Sequence, residues 1–487
     1  TGKKAEVHLK FTVANPDAAA AEEEAVHFSG SASTLGDDAA GLASQQVRIP
    51  LAAVEALGET KASPPAGAAA SAEGEEEDEE MVVTAHDVKG KIDYGKLIHE
   101  FGSQSLTPEL MARIESVTVG SGRVPHLHRF LRRNIFFSHR DIARICDMAE
   151  ASAANPQSSE PPFYLYTGRG PSSGAMHLGH LVPFMMTKWL QEAFGVPLVI
   201  QMTDDEKFLW KGEYTDGEGD NLDHYHHLTY ENAKDIIACG FDKSKTFIFS
   251  DLEYVGEMYP TIVRIWKAVT YNQARAAFGF VGSSNIGQSA FPAIQAAPSF
   301  PSSFKKVFGN RPLLPCLIPC AIDQDPYFRI TRDVAHKLVP AAHPLKGKPA
   351  LIHSKFFPPL QGAKGKMSSS VDSSAIFLTD SPETIATKIK THAFSGGQES
   401  SKLQRELGAD LEKDVSYQWL TFFLEDDEEL AGIGKDYSSG SGEYWATGKV
   451  KAKLIEVLQK LVAEHQERRA KITDEEVREW LDVRRIC

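Results

Sequence analysis

Five short runs limit the fold of this chain more than any other feature: FYLYT (Phe163–Thr167), PLVIQM (Pro197–Met202), KTFIFS (Lys245–Ser250), CLIPCAI (Cys316–Ile322) and ALIHS (Ala350–Ser354). Each is apolar almost throughout and lacks the polar alternation of a strand with one face in water. Such runs suit parallel strands buried on both faces, and segments of helix length separate them. The pattern predicts a doubly wound α/β, Rossmann-like domain over 158–378. Beyond Leu378 the apolar runs stop. SPETIATKIKTHA, a stretch ending FFLEDDEEL, and GKVKAKLIEVLQKLVAEHQERRAKI are charged and helical, which predicts a helical domain over 379–487.

The sequence ahead of the sheet is of three kinds. Residues 1–60 carry two alternating stretches, Val7–Val13 and Gln45–Leu51, expected to be strands of an appended module whose role the sequence does not give. Residues 61–81 are acidic and of low complexity, a solvated linker with too little apolar surface to bury. Residues 82–157 predict a helical segment packed on the α/β domain. In it, IDYGKLIHEFG ends on a glycine, TPELMARIESV opens with Thr107 and Pro108, and FFSHRDIARICDMAE takes Ser138 as its cap.

A net charge of -14 over 487 residues argues against a general polyanion binder and leaves room for local basic patches. The five scattered cysteines fit reduced thiols of a cytosolic protein, and nothing near Cys316 and Cys320 completes a zinc set. No apolar stretch is long enough to span a membrane.

The first apolar run leads directly into TGRGPSSGAMHLGH, Thr167 to His180. A strand, a small-residue loop and a helix start form an anion site. The loop lets a ligand approach the backbone, and the helix start offers unpaired N–H groups and a partial positive charge. Arg169 adds a cation. His177 and His180 share a face of the first helical turn, and Gly179 between them leaves room for a flat ring. The spacing matches neither a Walker loop nor a dinucleotide fingerprint. A second loop, KGKMSSS (Lys364–Ser370), follows the last run. Its lysines suit a departing pyrophosphate. Each loop alone has a bland reading, a capped helix start or a solvated turn.

Together the two loops resemble the H-x-G-H and K-M-S-K-S signatures of class I aminoacyl-tRNA synthetases. The longer segments NIFFSHRD, PFYLYTGRGPSSGAMHLGHLVPF, VIQMTDDEKFLW, NAKDIIACGFD, FPAIQAAPSF, CLIPCAIDQDPYFRITRDVA, LQGAKGKMSSS and LTFFLEDDEEL resemble the eukaryotic tryptophanyl-tRNA synthetase family. The resemblance runs from about Val82 to Leu481. It implies attack of the amino-acid carboxylate on the α-phosphate of ATP, loss of pyrophosphate, and transfer of the acyl group to the 3′ end of tRNA(Trp). Catalysis would then be positioning and charge stabilisation.

By that resemblance His177, His180, Lys366 and Ser368 are catalytic. Thr167, Arg169, Gly179, Ile318, Met367 and Ser369 bind ATP. Tyr166, Gln201, Glu206, Gln295 and Gln324 bind L-tryptophan. Ser369 stands where the wider class has its second lysine, and Arg169 is the candidate replacement. The resemblance also implies a homodimer formed through the insertion near 252–308, anticodon reading by the helical domain, and a last helix that packs back on the catalytic domain. The basic stretches HLHRFLRRN, Lys449–Lys453 and Arg468–Lys471 are candidate tRNA contacts. The only metal expected is the Mg²⁺ carried by ATP, and the HYHH cluster (His224–His227) is expected to be exposed. Two rivals stay open: a tyrosyl-tRNA synthetase, and a synthetase-derived binding or signalling protein without catalysis.

Overall fold

The computed structural model describes residues 92–155, 157, 160–215, 219–362, 367 and 372–487, together with four short strands nearer the N-terminus. Residues Thr1–Glu76 form a unit of their own, in which Ala25–Phe28 and Val47–Pro50 pair antiparallel. The second strand falls inside the expected Gln45–Leu51, whereas Val7–Val13 and the 61–81 linker lie outside the described residues. In the larger unit, Val82–Val83 and Val88–Lys89 form a small antiparallel pair.

A seven-stranded sheet organises the larger unit. In chain order its strands are β1 Gln104–Ser105, β2 Phe136–Arg140, β3 Tyr164–Arg169, β4 Leu198–Met202, β5 Thr246–Ser250, β6 Cys316–Ala321 and β7 Ala350–Ser354. They lie side by side as β5-β4-β3-β6-β7-β2-β1. Each of the five apolar runs holds one of the strands β3 to β7, and these five are parallel. Successive side chains feed opposite cores. Leu165, Leu198, Ile200, Ile248 and Leu317 join one, and Tyr164, Tyr166, Val199, Phe247 and Ile318 join the other. Helix α1, Leu178–Phe194, covers the first face together with α3, Leu222–Ala238. On the second face α4, Asp251–Ala268, sets Tyr254, Met258 and Ile262 against Phe247, Phe249 and Phe304. No strand of the five keeps a wet face, which is why none of them alternates.

The segment ahead of β3 is less helical than the sequence suggests. Helices Tyr94–Phe101 and Pro108–Thr118 form where expected, with Asp93 accepting from the Lys96 N–H at 3.0 Å and Thr107 from the Leu110 N–H at 3.3 Å. Ser138, however, is not a helix cap. FFSHR forms β2, antiparallel to β7, and the Ser138 hydroxyl lies 2.9 Å from His353 Nδ1. The helix starts only at Ile142, after Asp141 turns the chain in the left-handed region at φ 59. The apolar residues of FFSHRDIARIC satisfy both periodicities, and the vacant edge of β7 decides between them.

After β7 the chain is helical. Helix α7, Thr447–Arg469, and α8, Asp474–Leu481, return to the catalytic domain. Val477 and Trp480 of α8 are buried, Arg484 donates to the carbonyls of Lys243 and Thr246 at 2.8 Å each, and Ile486 enters the second core. The basic stretches that sequence offers to tRNA serve as internal ties here. Arg129 is buried against Glu425 and the Phe422 carbonyl, and Arg132 and Arg133 both hold Asp427. Arg468 donates to the Ala238 carbonyl at 2.7 Å, Arg469 binds Asp235 at 2.7 Å, and Lys453 pairs with Glu429 at 2.7 Å.

Asp235 is fully buried and accepts from His465, from Arg469 and from the Met176 backbone N–H. Breaking such a buried arrangement on one side costs about 3 kcal/mol. Asp235→Ala is therefore expected to lower stability by about that much, read from the guanidinium denaturation midpoint. Lys471→Ala, at an exposed pair with Glu467, should leave the midpoint unchanged.

Candidate active site

In chain order the parallel strands run third, second, first, fourth, fifth, so the winding reverses between β3 and β6. Ligands of open α/β sheets bind at the carboxyl ends of the strands flanking such a reversal. The ladder between β3 and β6 covers only Cys316–Tyr164 and Leu317–Leu165, while β3 stays paired with β4 through Arg169. Past Leu317 the two strands part. A cavity of about 390 Å³ occupies the wedge, and Tyr166, Thr167, Arg169, Gln201, Glu206, Gln295, Ile318 and Gln324 all line it.

One end of the cavity is aromatic. Trp210 and Phe291 meet edge to face at 5.7 Å, Tyr327 stacks on Phe278 at 4.0 Å, and Phe328 stands edge-on to Tyr166. A flat bicyclic side chain suits these walls. The polar groups there form a relay. The Tyr166 hydroxyl is 2.6 Å from Gln201 Oε1 and 2.9 Å from the Gln295 carbonyl, and the Gln201 amide donates to Asp251 at 2.8 Å. Burial holds the Tyr166 hydroxyl far above its ordinary pKa, so it stays protonated. Glu206, from α2 (Asp204–Lys211), accepts from Thr203 at 3.2 Å and pairs with Lys207 at 2.7 Å. Gln324 closes the opposite wall, just ahead of α6 (Asp325–Val334), whose Asp325 is clamped by Arg140.

The other end is cationic. Arg169 is buried, and its Nε donates to Asn232 at 3.1 Å. Its Nη2 has no partner among the described residues. Burial lowers its pKa to about 10, which still leaves it charged at neutral pH. A buried guanidinium with a free N–H, opening on a cavity, is a site for an anion. Gly170 beside it leaves room for the Lys207 and Glu206 side-chain ends: a Cβ there would lie 2.1 Å from Lys207 Cε and 2.9 Å from Glu206 Oε2, and both would have to move.

His177 and His180 stand beside this end rather than in the cavity lining. Their rings stack at 3.5 Å, and the His177 N–H points to His180 Nδ1 at 3.4 Å. Burial, reinforced by the Arg169 charge, lowers His177 to about 3, so it is a neutral imidazole at working pH. The space beside Gly179 is taken by the His177 ring at 3.1 Å and by Met367 Sδ at 3.4 Å. Met367 thus brings the second loop against the first. Lys366, Ser368 and Ser369 lie outside the described residues.

A family model described as tRNA synthetases class I (W and Y) matches residues 158–463. The mouse cytoplasmic tryptophan–tRNA ligase is 55% identical over 407 residues, 83% of this chain and 78% of that protein. The Arabidopsis thaliana cytoplasmic enzyme is 52% identical, covering 83% of this chain and 95% of that one. The chain belongs to the class I tRNA synthetases, in the tryptophan branch. Solved structures agree. The Plasmodium falciparum tryptophanyl-tRNA synthetase aligns with TM-score 0.69 at 44% identity, over 80% of this chain and 95% of that one. The Encephalitozoon cuniculi synthetase bound to tryptophan aligns with TM-score 0.67 at 37% identity, over 80% and 100%.

Three parts of this synthetase site escape a reading of the sequence. Asp251 is passed over, although one signal points to it: it directly follows the KTFIFS run at a strand's carboxyl end, where sites form. Lys207 sits next to Glu206 but reads as an ordinary helix lysine. The aromatic wall of Trp210, Phe278, Phe291, Tyr327 and Phe328 comes from four separate segments, and only the tertiary fold joins them.

The free Arg169 Nη2 gives a testable consequence. Arg169→Met is expected to lower kcat/KM for ATP by about 10- to 100-fold, the range for a charge-assisted hydrogen bond. It should do so with little loss of melting temperature, because the substitution also removes an unpaired buried cation. Pyrophosphate exchange and a thermal scan on the same preparation check both.

Proposed function

We propose that this protein activates L-tryptophan with ATP, releasing pyrophosphate, and transfers the tryptophanyl group to the 3′ end of tRNA(Trp). One observation carries the choice of amino acid. The aromatic end of the cavity places acceptors, the Tyr166 oxygen and Gln201 Oε1, where a flat side chain would present its edge. An indole N–H is a donor only and pairs with either. Glu206 takes the ammonium, exchanging its bond to Lys207, with Gln295 and Gln324 beside the amino and carboxylate groups. The substrate carboxylate then points along β3 towards Arg169.

At that end Arg169 binds phosphate oxygens, neutral His177 donates a hydrogen bond without adding charge, and His180 stands stacked beside it. Thr167, Gly179, Ile318 and Met367 form the nucleotide seat. Ile318 stands directly after the last pair of the β3–β6 ladder. Lys366, Ser368 and Ser369 accompany the pyrophosphate, with Mg²⁺ carried in by ATP. In-line attack then needs orientation and charge stabilisation but no covalent enzyme intermediate. The helical domain receives the anticodon. The mouse and Arabidopsis relatives are named cytoplasmic, and we place the reaction in the cytoplasm.

Amino-acid-dependent ATP–pyrophosphate exchange tests this reading. Tryptophan is expected to be favoured over phenylalanine by on the order of 10⁴, because phenylalanine leaves the buried acceptors unpaired. Exchange with tyrosine in place of tryptophan would move the chain to the tyrosine reading. Exchange with neither would favour the non-catalytic one.

We also propose a homodimer through α4 and the residues after it. Leu252, Tyr259, Val263 and Trp266 recur on one face of α4 and are exposed, and Ile286 nearby is 89% exposed. An apolar stripe of this kind marks an interface. Sedimentation should give twice the chain's mass, and Val263→Glu together with Trp266→Glu should return it to the monomer.

A further inference from the structure

Gln201 can be built into its site in two orientations, and they present opposite chemistry to the cavity. As observed, Nε2 donates to Asp251 Oδ1 at 2.8 Å, to Asp251 Oδ2 at 3.0 Å and to the Ile294 carbonyl at 3.3 Å. Oε1 is thereby left to face Tyr166 at 2.6 Å. With the hydroxyl proton directed to Gln201 or to the Gln295 carbonyl, a lone pair of the Tyr166 oxygen stays free for a ligand. The flipped amide would aim Nε2 at the Tyr166 oxygen, use up that lone pair, and turn an acceptor site into a donor site. It would also set Oε1 against the oxygens of Asp251 and Ile294. Both side chains are fully enclosed, so no water relieves that contact.

We propose that Asp251 is a positioning residue that sets amino-acid specificity: by locking the Gln201 amide, it fixes an acceptor rather than a donor at the aromatic end of the cavity. Asp251 does not line the cavity, and its hydrogen bonds reach the lining through Gln201. The proposal rests on the tryptophan reading, since it is the indole N–H that reports the lock.

The surroundings of Asp251 show which substitution should rescue it. Its carboxyl is hydrogen-bonded to Asp205, and burial raises both groups, Asp205 to about 7. The pair therefore holds a proton at neutral pH. Asp204, the third carboxylate, is satisfied separately by Ser250 at 2.5 Å, His226 at 3.0 Å and Thr229 at 3.2 Å. An asparagine at 251 mimics a protonated carboxyl, with its oxygen towards Gln201 and its amide towards Asp205. Leucine keeps the volume and removes the acceptor.

The test is pyrophosphate exchange by the full chain with two amino acids, tryptophan and its benzothiophene isostere, in which sulfur replaces the indole N–H. Asp251→Leu is expected to lower kcat/KM for tryptophan by about 100-fold, mainly through KM, and for the isostere by less than about threefold. Discrimination between the two should collapse. Asp251→Asn should keep the ratio of the two substrates within about threefold of the parent chain, whatever its absolute rate. Should the leucine chain not fold, Asp251→Ala carries the same comparison. Equal loss with both substrates, or a ratio unchanged in the leucine and alanine chains, would overturn the lock while leaving the tryptophan reading in place. A parent chain that does not activate tryptophan would overturn both.

Discussion

Burial of five parallel strands on both faces is the constraint from which the rest of the molecule follows. With cores above and below the sheet, polar side chains on these strands have no solvent to reach except beyond the strand ends. Arg169, Gln201 and Glu206 stand at or just past the carboxyl ends of β3 and β4, and Tyr166 stands in β3 directly after its last pair with β6. The reversal of winding then pulls β3 and β6 apart after a two-residue ladder, and the wedge between them becomes the cavity. Site and sheet are one geometric solution, and the loops only finish it.

The electrostatics follow the same division. Several cations of the N-terminal segment and of α7 are matched by carboxylates of the fold, as Arg129 is by Glu425 and Arg469 by Asp235. Arg169 is the contrast, a buried guanidinium with one edge left open. An unsatisfied buried charge is costly, and a folded chain retains one where a ligand completes it. Neutral His177 fits this arrangement. A second cation beside Arg169 would deepen the cost in the free protein, whereas an uncharged imidazole supplies a donor without it.

The sheet was legible because its signal is local: a strand buried on both faces is a run of apolar residues wherever it falls. All five runs became strands at the expected places. The antiparallel strand β2 was not legible, because FFSHR reads equally as a helix start, and its pairing depends on β7, more than 200 residues on. The site divides in the same way. Residues carried by glycine loops or strand ends were readable from the chain. Residues acting from behind were not, because their meaning lies in a partner. Asp235 reads as a polar residue in an amphipathic helix until His465, Arg469 and Met176 converge on it. The basic stretches divide for the same reason, since a sequence shows charges but not which of them, such as Arg129 and Arg469, meet carboxylates within the fold.

That convergence bears on how the two domains work together. One oxygen of Asp235 holds His465 and Arg469 on α7, and the other holds the backbone N–H of Met176, next to His177. A parallel tie runs from Gln466 to the carbonyls of Leu378 and Asp380, while Leu378 itself bonds back to the Met176 carbonyl. The end of α7 and the residue before the histidine pair thus share a buried carboxylate and a short backbone bridge. If α7 shifts relative to the sheet, Asp235 must either follow it and draw on Met176, or stay and leave a buried cation unpaired. The second course is the costlier. The helical C-terminal region and the segment before the histidine pair are therefore tied through one buried carboxylate and one backbone bridge.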